Sequence, residues 1–278
     1  MRIAIYQGSG VFLDTVANLK LMNRLANAAR YQDAKLLILP ELFLTGYNLG
    51  DDARRLCEPA DGPSAKQAQS IAQEHEIALL YGYPEWADDK IFNSAILIDD
   101  CGKRVANYRK THLFGPEERR IFSAGDEIAV AGCGDLKVGI LICYDLEFPE
   151  LVRSVALAGA DLIAVPTAIS PPYYEIPTTI VRARAYENQL FVAYVNRTGE
   201  ERDLGFFGMS GVVAPDGKDL VRAGASDESL MVATIDPAAY EDSRRYNTYF
   251  RDRRPILYHA VIEEGTAKQK LTKRSAAG

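Results

Sequence analysis

Apolar runs separated by amphipathic stretches recur along the chain and predict alternating β-strands and α-helices. Predicted strands cover residues 2–7, 35–40, 77–83, 93–99, 104–108, 137–142, 161–165, 190–195, 207–213 and 230–235. Asp14 is a suitable N-cap for a helix whose apolar positions, 19, 22, 25 and 29, recur every three or four residues. Further helices are predicted over residues 64–76, 149–158 and 178–188.

The order of these elements indicates the fold class. Strands and helices alternate as in a parallel sheet, but turns at residues 100–102 and 215–217 favour hairpins. Mixed sheets covered by helices in one α/β domain satisfy both signals. We expect this domain to span residues 1–262, with a polar, weakly basic tail over residues 263–278.

Composition narrows the classes of protein and partner. The 278 residues carry a net charge of −6, which argues against nucleic acid as the main partner. No apolar run has the length of a membrane span, and the first residues have the pattern of a strand instead of a signal peptide. The four cysteines form no CxxC pair, so we expect a cytoplasmic protein. The three histidines lack ligand spacing, so we expect no metal, and nothing indicates a cofactor.

One cysteine lies where a nucleophile could be presented to a pocket. Cys143 ends an apolar run, and acidic residues and Pro149 follow it as at a helix start. A sulfur near a helix N-terminus is stabilised as a thiolate by the free N–H groups and the macrodipole. Taken alone, this cysteine could equally be an ordinary buried core residue.

Two charged residues lie at similar strand ends. Glu41 follows the apolar stretch 36–40 directly, and Lys110 comes just after the strand 104–108. A partly desolvated glutamate there can act as a general base, and a fixed lysine can stabilise an oxyanion. Each residue, taken singly, could instead be a solvated surface charge.

Three segments together carry a family resemblance. They are Pro-Glu-Leu-Phe-Leu-Thr-Gly-Tyr at 40–47, Tyr-Arg-Lys-Thr-His-Leu-Phe at 108–114 and Ile-Cys-Tyr-Asp-Leu-Glu-Phe-Pro-Glu at 142–150. In this order they resemble the nitrilase, or carbon–nitrogen hydrolase, superfamily. The resemblance implies a four-layer α-β-β-α sandwich that pairs into a homodimer or a higher homo-oligomer. It also implies a general base at Glu41, oxyanion support from Lys110 and from the backbone N–H of Tyr144, and a nucleophile at Cys143.

The resemblance implies further site residues. The family has a second glutamate after the lysine, which we assign to Glu117, with the adjacent Glu118 as the alternative. Candidates for substrate contact are Tyr47, Tyr173, Tyr174 and Asn196.

The implied reaction is hydrolysis of a small aliphatic amide through a thioester. Stretches at 2–8, 43–48, 81–85, 107–115 and 181–189 are similar to 5-aminopentanamidase-like members, which implies a short ω-amino amide. Segments 167–174 and 196–203 depart from that pattern. The alternatives are a nitrilase, an N-carbamoyl amino acid hydrolase, an ω-amidase or a deaminated-glutathione-type amidase. A Cys-His hydrolase using His112, or a silent interaction protein, would belong to a different class.

Overall fold

The strands and helices below come from a computed structural model that describes residues 1–262. The strands are β1 (Arg2–Gln7), β2 (Leu36–Ile38), β3 (Ala78–Ala87), β4 (Lys90–Ile98), β5 (Arg104–Arg109), β6 (Ala129–Cys133), β7 (Leu136–Ile140), β8 (Leu162–Pro166), β9 (Phe191–Val195), β10 (Thr198–Glu201), β11 (Leu204–Phe207), β12 (Gly211–Val213), β13 (Asp219–Arg222) and β14 (Ser229–Thr234). The α-helices are α1 (Thr15–Tyr31), α2 (Ala53–Leu56), α3 (Pro63–His75), α4 (Gly115–Ile121), α5 (Pro149–Leu157), α6 (Val181–Asn188), α7 (Glu241–Tyr246) and α8 (His259–Ile262). Short 3₁₀ turns cover Gly50–Asp52, Cys143–Glu147, Pro237–Tyr240 and Pro255–Leu257, and a π-helical turn covers Ile176–Ile180.

Two six-stranded sheets and one hairpin contain these strands. The first sheet has the order β14-β1-β2-β3-β4-β5, and the second has the order β13-β12-β9-β8-β7-β6. The central strands of each sheet are parallel, namely β1-β2-β3 and β7-β8-β9. Outer strands pair antiparallel, and β10 and β11 form a separate hairpin.

Alternation along β1 shows how the layers are built. Ile3 and Ile5 belong to the core that contains residues of both sheets, whereas Ala4 and Tyr6 pack in the core beneath α1 and α3. A strand buried on both faces needs apolar side chains at nearly every position, which explains the continuous apolar runs.

Helices α5 and α6 cover the outer face of the second sheet. Val155 of α5 and Val181 and Ala185 of α6 are buried in the same core as that sheet. At Gly139 in β7 a Cβ atom would lie 2.3 Å from Val155 Cγ1, so glycine permits the close approach of α5. The layers are therefore α-β-β-α, which confirms the expected sandwich.

Some element predictions are wrong. The strand predicted over 207–213 is divided, because Gly208 and Met209 have positive φ and separate β11 from β12. Residues 115–121, for which the sequence predicted no helix, form α4. Within residues 1–262, no helix combines the length and the apolar character needed to cross a membrane. The polar tail predicted over 263–278 lies outside the described residues.

Candidate active site

Glu41 and Lys110 are in contact inside the protein. Lys110 directly follows β5, and its Nζ donates to Glu41 Oε1 at 2.8 Å. Both side chains are fully buried. The two charges, predicted separately at strand ends, therefore form a buried ion pair.

Close packing of β3 sets the position of the segment that begins at Glu41. Leu42 has a φ of +48°, so the backbone turns sharply after Glu41. At Gly82 in β3 a Cβ atom would lie 2.3 Å from the backbone nitrogen of Leu42 and 2.9 Å from the carbonyl carbon of Glu41. Glycine is thus required for β3 to lie against this turn.

Both donors to the Glu41 carboxylate bind the same oxygen. Asn93 in β4 donates its Nδ2–H to Oε1 at 2.7 Å, alongside Lys110. The other oxygen, Oε2, is buried and accepts no hydrogen bond from the described residues. Burial and the charge of Glu118 raise the pKa of Glu41 to about 7, although Lys110 and Asn93 oppose the shift. Glu41 can therefore exchange a proton near neutral pH.

The second carboxylate on Lys110 belongs to Glu118, and the assignment to Glu117 is wrong. Glu118 Oε1 accepts from Lys110 Nζ at 2.7 Å and is buried, whereas Glu117 is exposed and pairs with Arg120. Both glutamates lie in α4, where consecutive side chains point about 100° apart, so only one can face inward. Tyr47 Oη also donates to Glu118 Oε1, at 2.7 Å.

The ammonium form of Lys110 is strongly favoured. Burial alone would lower the pKa of Lys110, but the carboxylates of Glu118 and Glu41 outweigh burial and raise that pKa well above its usual value. A lysine between two carboxylates is a permanent positive charge at neutral pH.

Cys143 begins the 3₁₀ turn that follows β7, with a φ of +48°. Asp145 holds this turn: it accepts from the backbone N–H of Ile142 at 3.1 Å and from the hydroxyl of Tyr108 at 2.8 Å. Because Tyr108 lies in β5, Asp145 ties the cysteine turn to the strand that leads to Lys110.

The thiol of Cys143 is protonated at rest. Burial and the charge of Glu41 raise its pKa well above the usual value, against the effects of Lys110 and a hydrogen bond with the Ala168 backbone. The sequence pattern predicts a helix N-terminus that stabilises the thiolate, but α5 begins only at Pro149, after the 3₁₀ turn. The cysteine therefore needs a base to remove its proton.

His112 contacts Asp145 and Phe148, and neither contact assigns it the role of a base. Its Nδ1 lies 3.0 Å from Asp145 Oδ1, and its ring stacks on Phe148 with the centroids 3.7 Å apart. These contacts favour a role for His112 in holding the cysteine turn, beside Asp145.

The candidates for substrate contact have different environments. Tyr47 is half-buried and bonded to Glu118, while Tyr173 and Tyr174 are exposed after β8. Asn196 is fully buried, and its amide is bound to backbone: Oδ1 accepts from Ile169 N at 2.9 Å and Nδ2 donates to Gly208 O at 2.8 Å. Asn196 thus holds two loops together, which differs from the predicted substrate contact.

A cavity of about 270 Å³ lies beside the Lys110 cluster. Tyr47 and Glu118 line it, together with the apolar side chains of Leu49, Phe114 and Leu204. The ring of Phe114 meets that of Tyr144 edge-on at 5.3 Å. Because Tyr144 follows the cysteine, this contact connects the cavity wall to the cysteine turn.

One cluster of side chains among the described residues has its ligand atoms spaced closely enough to hold a metal ion. Asp99, Asp100 and Cys101 have ligand atoms within 4.8 Å of one another. They lie on the turn between β4 and β5, at the opposite end of β5 from Lys110, and Cys101 is exposed. The cluster is therefore separate from the candidate active site.

Comparisons with known proteins identify the family of the chain. The family model for carbon-nitrogen hydrolases matches residues 2–245. A protein from Pseudomonas protegens described as a hydrolase in the pqqF 5' region is 48% identical, over 93% of this chain and 90% of that protein. An (R)-stereoselective amidase from Pseudomonas sp. is 35% identical over 98% of both chains. The crystal structure of an amidase from Nesterenkonia sp. superposes with a TM-score of 0.85 at 35% identity, over 94% of this chain and 95% of that one. A variant of the Nesterenkonia enzyme carries the acetamide moiety of fluoroacetamide on its active-site cysteine. The chain belongs to the carbon-nitrogen hydrolase family.

Proposed function

We propose that the protein is a cysteine-dependent amidase that hydrolyses a small aliphatic amide to an acid and ammonia. The observation that carries this proposal is the buried Glu41–Lys110–Glu118 cluster, together with a protonated thiol at Cys143. A base, a fixed cation and a nucleophile are the parts that acyl transfer requires.

Acylation begins with proton transfer. Glu41 Oε2, which accepts no hydrogen bond from residues 1–262, takes the proton of the Cys143 thiol, and the sulfur attacks the amide carbon. The negative oxygen of the tetrahedral intermediate is stabilised by the ammonium of Lys110 and the backbone N–H of Tyr144. Glu41 then passes the proton to the nitrogen, the carbon–nitrogen bond breaks, and ammonia leaves a thioester on Cys143.

Deacylation repeats these steps with water. Glu41 takes a proton from water, whose oxygen attacks the thioester carbon. The tetrahedral intermediate collapses, the carbon–sulfur bond breaks, and Glu41 returns the proton to the sulfur. The acid is released, and Glu41 and Cys143 regain their starting states.

A short ω-amino amide is the substrate class that we favour. The cavity is small, and besides its apolar wall it is lined by the acidic residues Glu118 and Asp203. A short methylene chain would contact the apolar wall, and a terminal ammonium would be attracted by the carboxylates. The sequence similarity to 5-aminopentanamidase-like enzymes supports the same class.

The test combines a substrate panel with one variant. Ammonia release is measured from ω-amino amides, α-amino amides and simple aliphatic amides, beside nitriles and N-carbamoyl amino acids. We expect the highest kcat/KM with ω-amino amides. Activity should be lost completely in Cys143→Ala. Full activity in Cys143→Ala would overturn the mechanism, while preference for nitriles or carbamoyl compounds would replace the substrate class.

A selective label separates the enzyme from a silent relative. Iodoacetamide should alkylate Cys143 in the folded protein, and peptide analysis should show that this adduct forms faster than the adduct on the exposed thiol of Cys101. A folded sample without this adduct would favour an interaction protein.

We also propose that the protein forms a homodimer through α5 and the C-terminal segment. Leu157 on α5 and Tyr246 and Val261 on the segment after β14 are exposed and line one groove. Large apolar side chains exposed close together are typical of subunit interfaces. Analytical ultracentrifugation should give a dimer mass at micromolar concentration, and a stable monomer would contradict the proposal.

The free cysteines among the described residues support the expected cytoplasmic location.

A further inference from the structure

A second buried ion pair lies behind the Lys110 cluster. Arg197, just after β9, has its Nη1 3.0 Å from Glu201 Oε1 at the end of β10, and their side chains are 1% and 2% exposed. Desolvation of two charges costs about as much as their attraction returns, so a buried pair is weak evidence for a role in stability alone. The other contacts of this pair indicate a different role.

Arg197 binds the beginning of the segment that carries Glu41. Its Nε donates to the carbonyl oxygen of Glu41 at 3.3 Å, and its Nη2 donates to the carbonyl oxygen of Leu42 at 3.2 Å. A third bond joins Nη1 to Ser9 O at 2.6 Å. Because Glu41 lies outside the strands, the guanidinium supplies its carbonyl oxygen with a donor that a neighbouring strand would otherwise provide. Leu42 O also accepts from the backbone N–H groups of Thr45 and Gly46.

Glu201 binds the end of the same segment. Its Oε2 accepts from the backbone N–H groups of Tyr47 at 2.7 Å and Asn48 at 2.9 Å. The hydroxyl of Tyr47 in turn donates to Glu118. One ion pair thus holds both ends of residues 41–48, the first of which bears the proposed base and the seventh of which contacts the second carboxylate.

The contacts form a closed ring around the site. Lys110 binds the side chains of Glu41 and Glu118. Tyr47 and Glu201 lead from Glu118 to Arg197, which returns to the backbone of Glu41. The ion pair is therefore connected to both carboxylates around Lys110 through residues 41–48.

We propose that Arg197 and Glu201 are positioning residues, which set the geometry of Glu41 and Glu118 through the segment that joins them. The proposal rests on the proposed function, in which Glu41 is the base. Neither residue touches the reacting atoms in this scheme. The effect of their loss should appear in kcat and in thiol reactivity.

The test is Arg197→Met, with Arg222→Met as the matched control. Arg222 in β13 also pairs with a carboxylate, that of Asp219 at 2.6 Å, and donates to a backbone carbonyl, that of Met209 at 2.9 Å. Displacement of a catalytic group by about 1 Å can cost about 100-fold in rate, so we expect kcat of Arg197→Met to fall by about that factor. Its KM should stay within about threefold of the parent value, and Arg222→Met should keep its kcat within about threefold.

Alkylation of Cys143 by iodoacetamide, followed across pH, is the second readout. If Glu41 is misplaced, alkylation of Arg197→Met should slow at every pH where the parent reacts by way of Glu41. If Arg197 has only a structural role, Arg197→Met should have a lower melting temperature but unchanged kcat and unchanged Cys143 alkylation per folded molecule. That outcome would overturn the proposal.

Two milder variants keep the test decisive if Arg197→Met does not fold. Arg197→Lys retains the cation but loses the fork that binds two carbonyls, and Glu201→Gln retains an acceptor oxygen but loses the charge. Both should show kcat between those of the parent and Arg197→Met, with Arg197→Lys the closer to the parent. Folded Arg197→Lys and Glu201→Gln with parental kcat, or insolubility of every variant, would assign the pair to stability alone. Failure of the amidase proposal is separate, because it would appear as a parent enzyme inactive on the whole panel while Cys143 alkylation remains measurable.

Discussion

Replacement of Glu118 by glutamine tests the charge arrangement around Lys110 most directly. The carboxylate accepts three hydrogen bonds: from Lys110 Nζ and Tyr47 Oη on Oε1, and from the backbone N–H of Phe114 on Oε2 at 2.7 Å. All three partners are donors. A glutamine must therefore direct its NH₂ group at one of them, so at least one bond is lost even though the shape is kept.

The structure sets the size of the expected effect. Lys110 would lose one of its two carboxylates, and a buried hydrogen bond to a charged group is worth about 2 to 3 kcal/mol. If the lost hydrogen bond stabilises the transition state but not the bound substrate, its removal lowers kcat by roughly 30- to 160-fold. Because the charge of Glu118 raises the pKa of Glu41, its removal should also move the acidic limb of the pH–rate profile below about pH 7.

The assay is ammonia release as a function of pH, with Glu117→Gln as the matched control. Glu117 is the neighbouring residue in α4, but its side chain is 59% exposed and contacts Arg120. Its replacement should leave kcat within about twofold of the parent value, because exposed ion pairs contribute little. Equal losses in both variants, or a larger loss in Glu117→Gln, would refute the assignment of the second carboxylate to Glu118.

Four further substitutions test other parts of the site. Asn93→Leu removes a donor that lowers the pKa of Glu41, so the acidic limb of kcat/KM should move above about pH 7 and kcat should fall about tenfold. Gly82→Ala places a Cβ against the backbone nitrogen that follows Glu41, and urea denaturation should show a free energy of unfolding lower by about 1 to 3 kcal/mol. Lys110→Ala should lower kcat by about 100- to 1,000-fold, whereas His112→Ala should cost no more than about tenfold. A greater loss at His112 than at Lys110, measured by single-turnover acylation, would favour the Cys-His alternative.

Local patterns in the sequence were sufficient for most of the framework. The continuous apolar runs predicted the doubly buried strands β2, β8 and β9, because a strand covered on both faces needs apolar side chains throughout. The same patterns missed β6, β10 and β13, which are short and contain exposed or half-buried positions that break the alternation. Strand-end position also identified Glu41, Lys110 and Cys143 as candidates.

Residues that support these candidates carry no comparable signal. Asn93 is one polar residue within the predicted strand 93–99, and its bond to Glu41 follows only from the antiparallel pairing of β3 with β4. Arg197 and Glu201 bind a segment more than 150 residues earlier in the chain. For residues so far apart in the chain, their spacing in the sequence does not indicate whether they are in contact.

Sequence by itself therefore determined the family, the layer order and the three residues proposed for catalysis, because hydrophobic period and short motifs are local properties of the chain. Only the tertiary structure decided that Glu118 faces Lys110 and Glu117 faces solvent, since that choice depends on which side of α4 packs inward. It also decided that Cys143 rests as a thiol and that the pKa of Glu41 lies at about 7. Protonation depends on burial and on charges brought together from distant parts of the chain, and folding alone creates both.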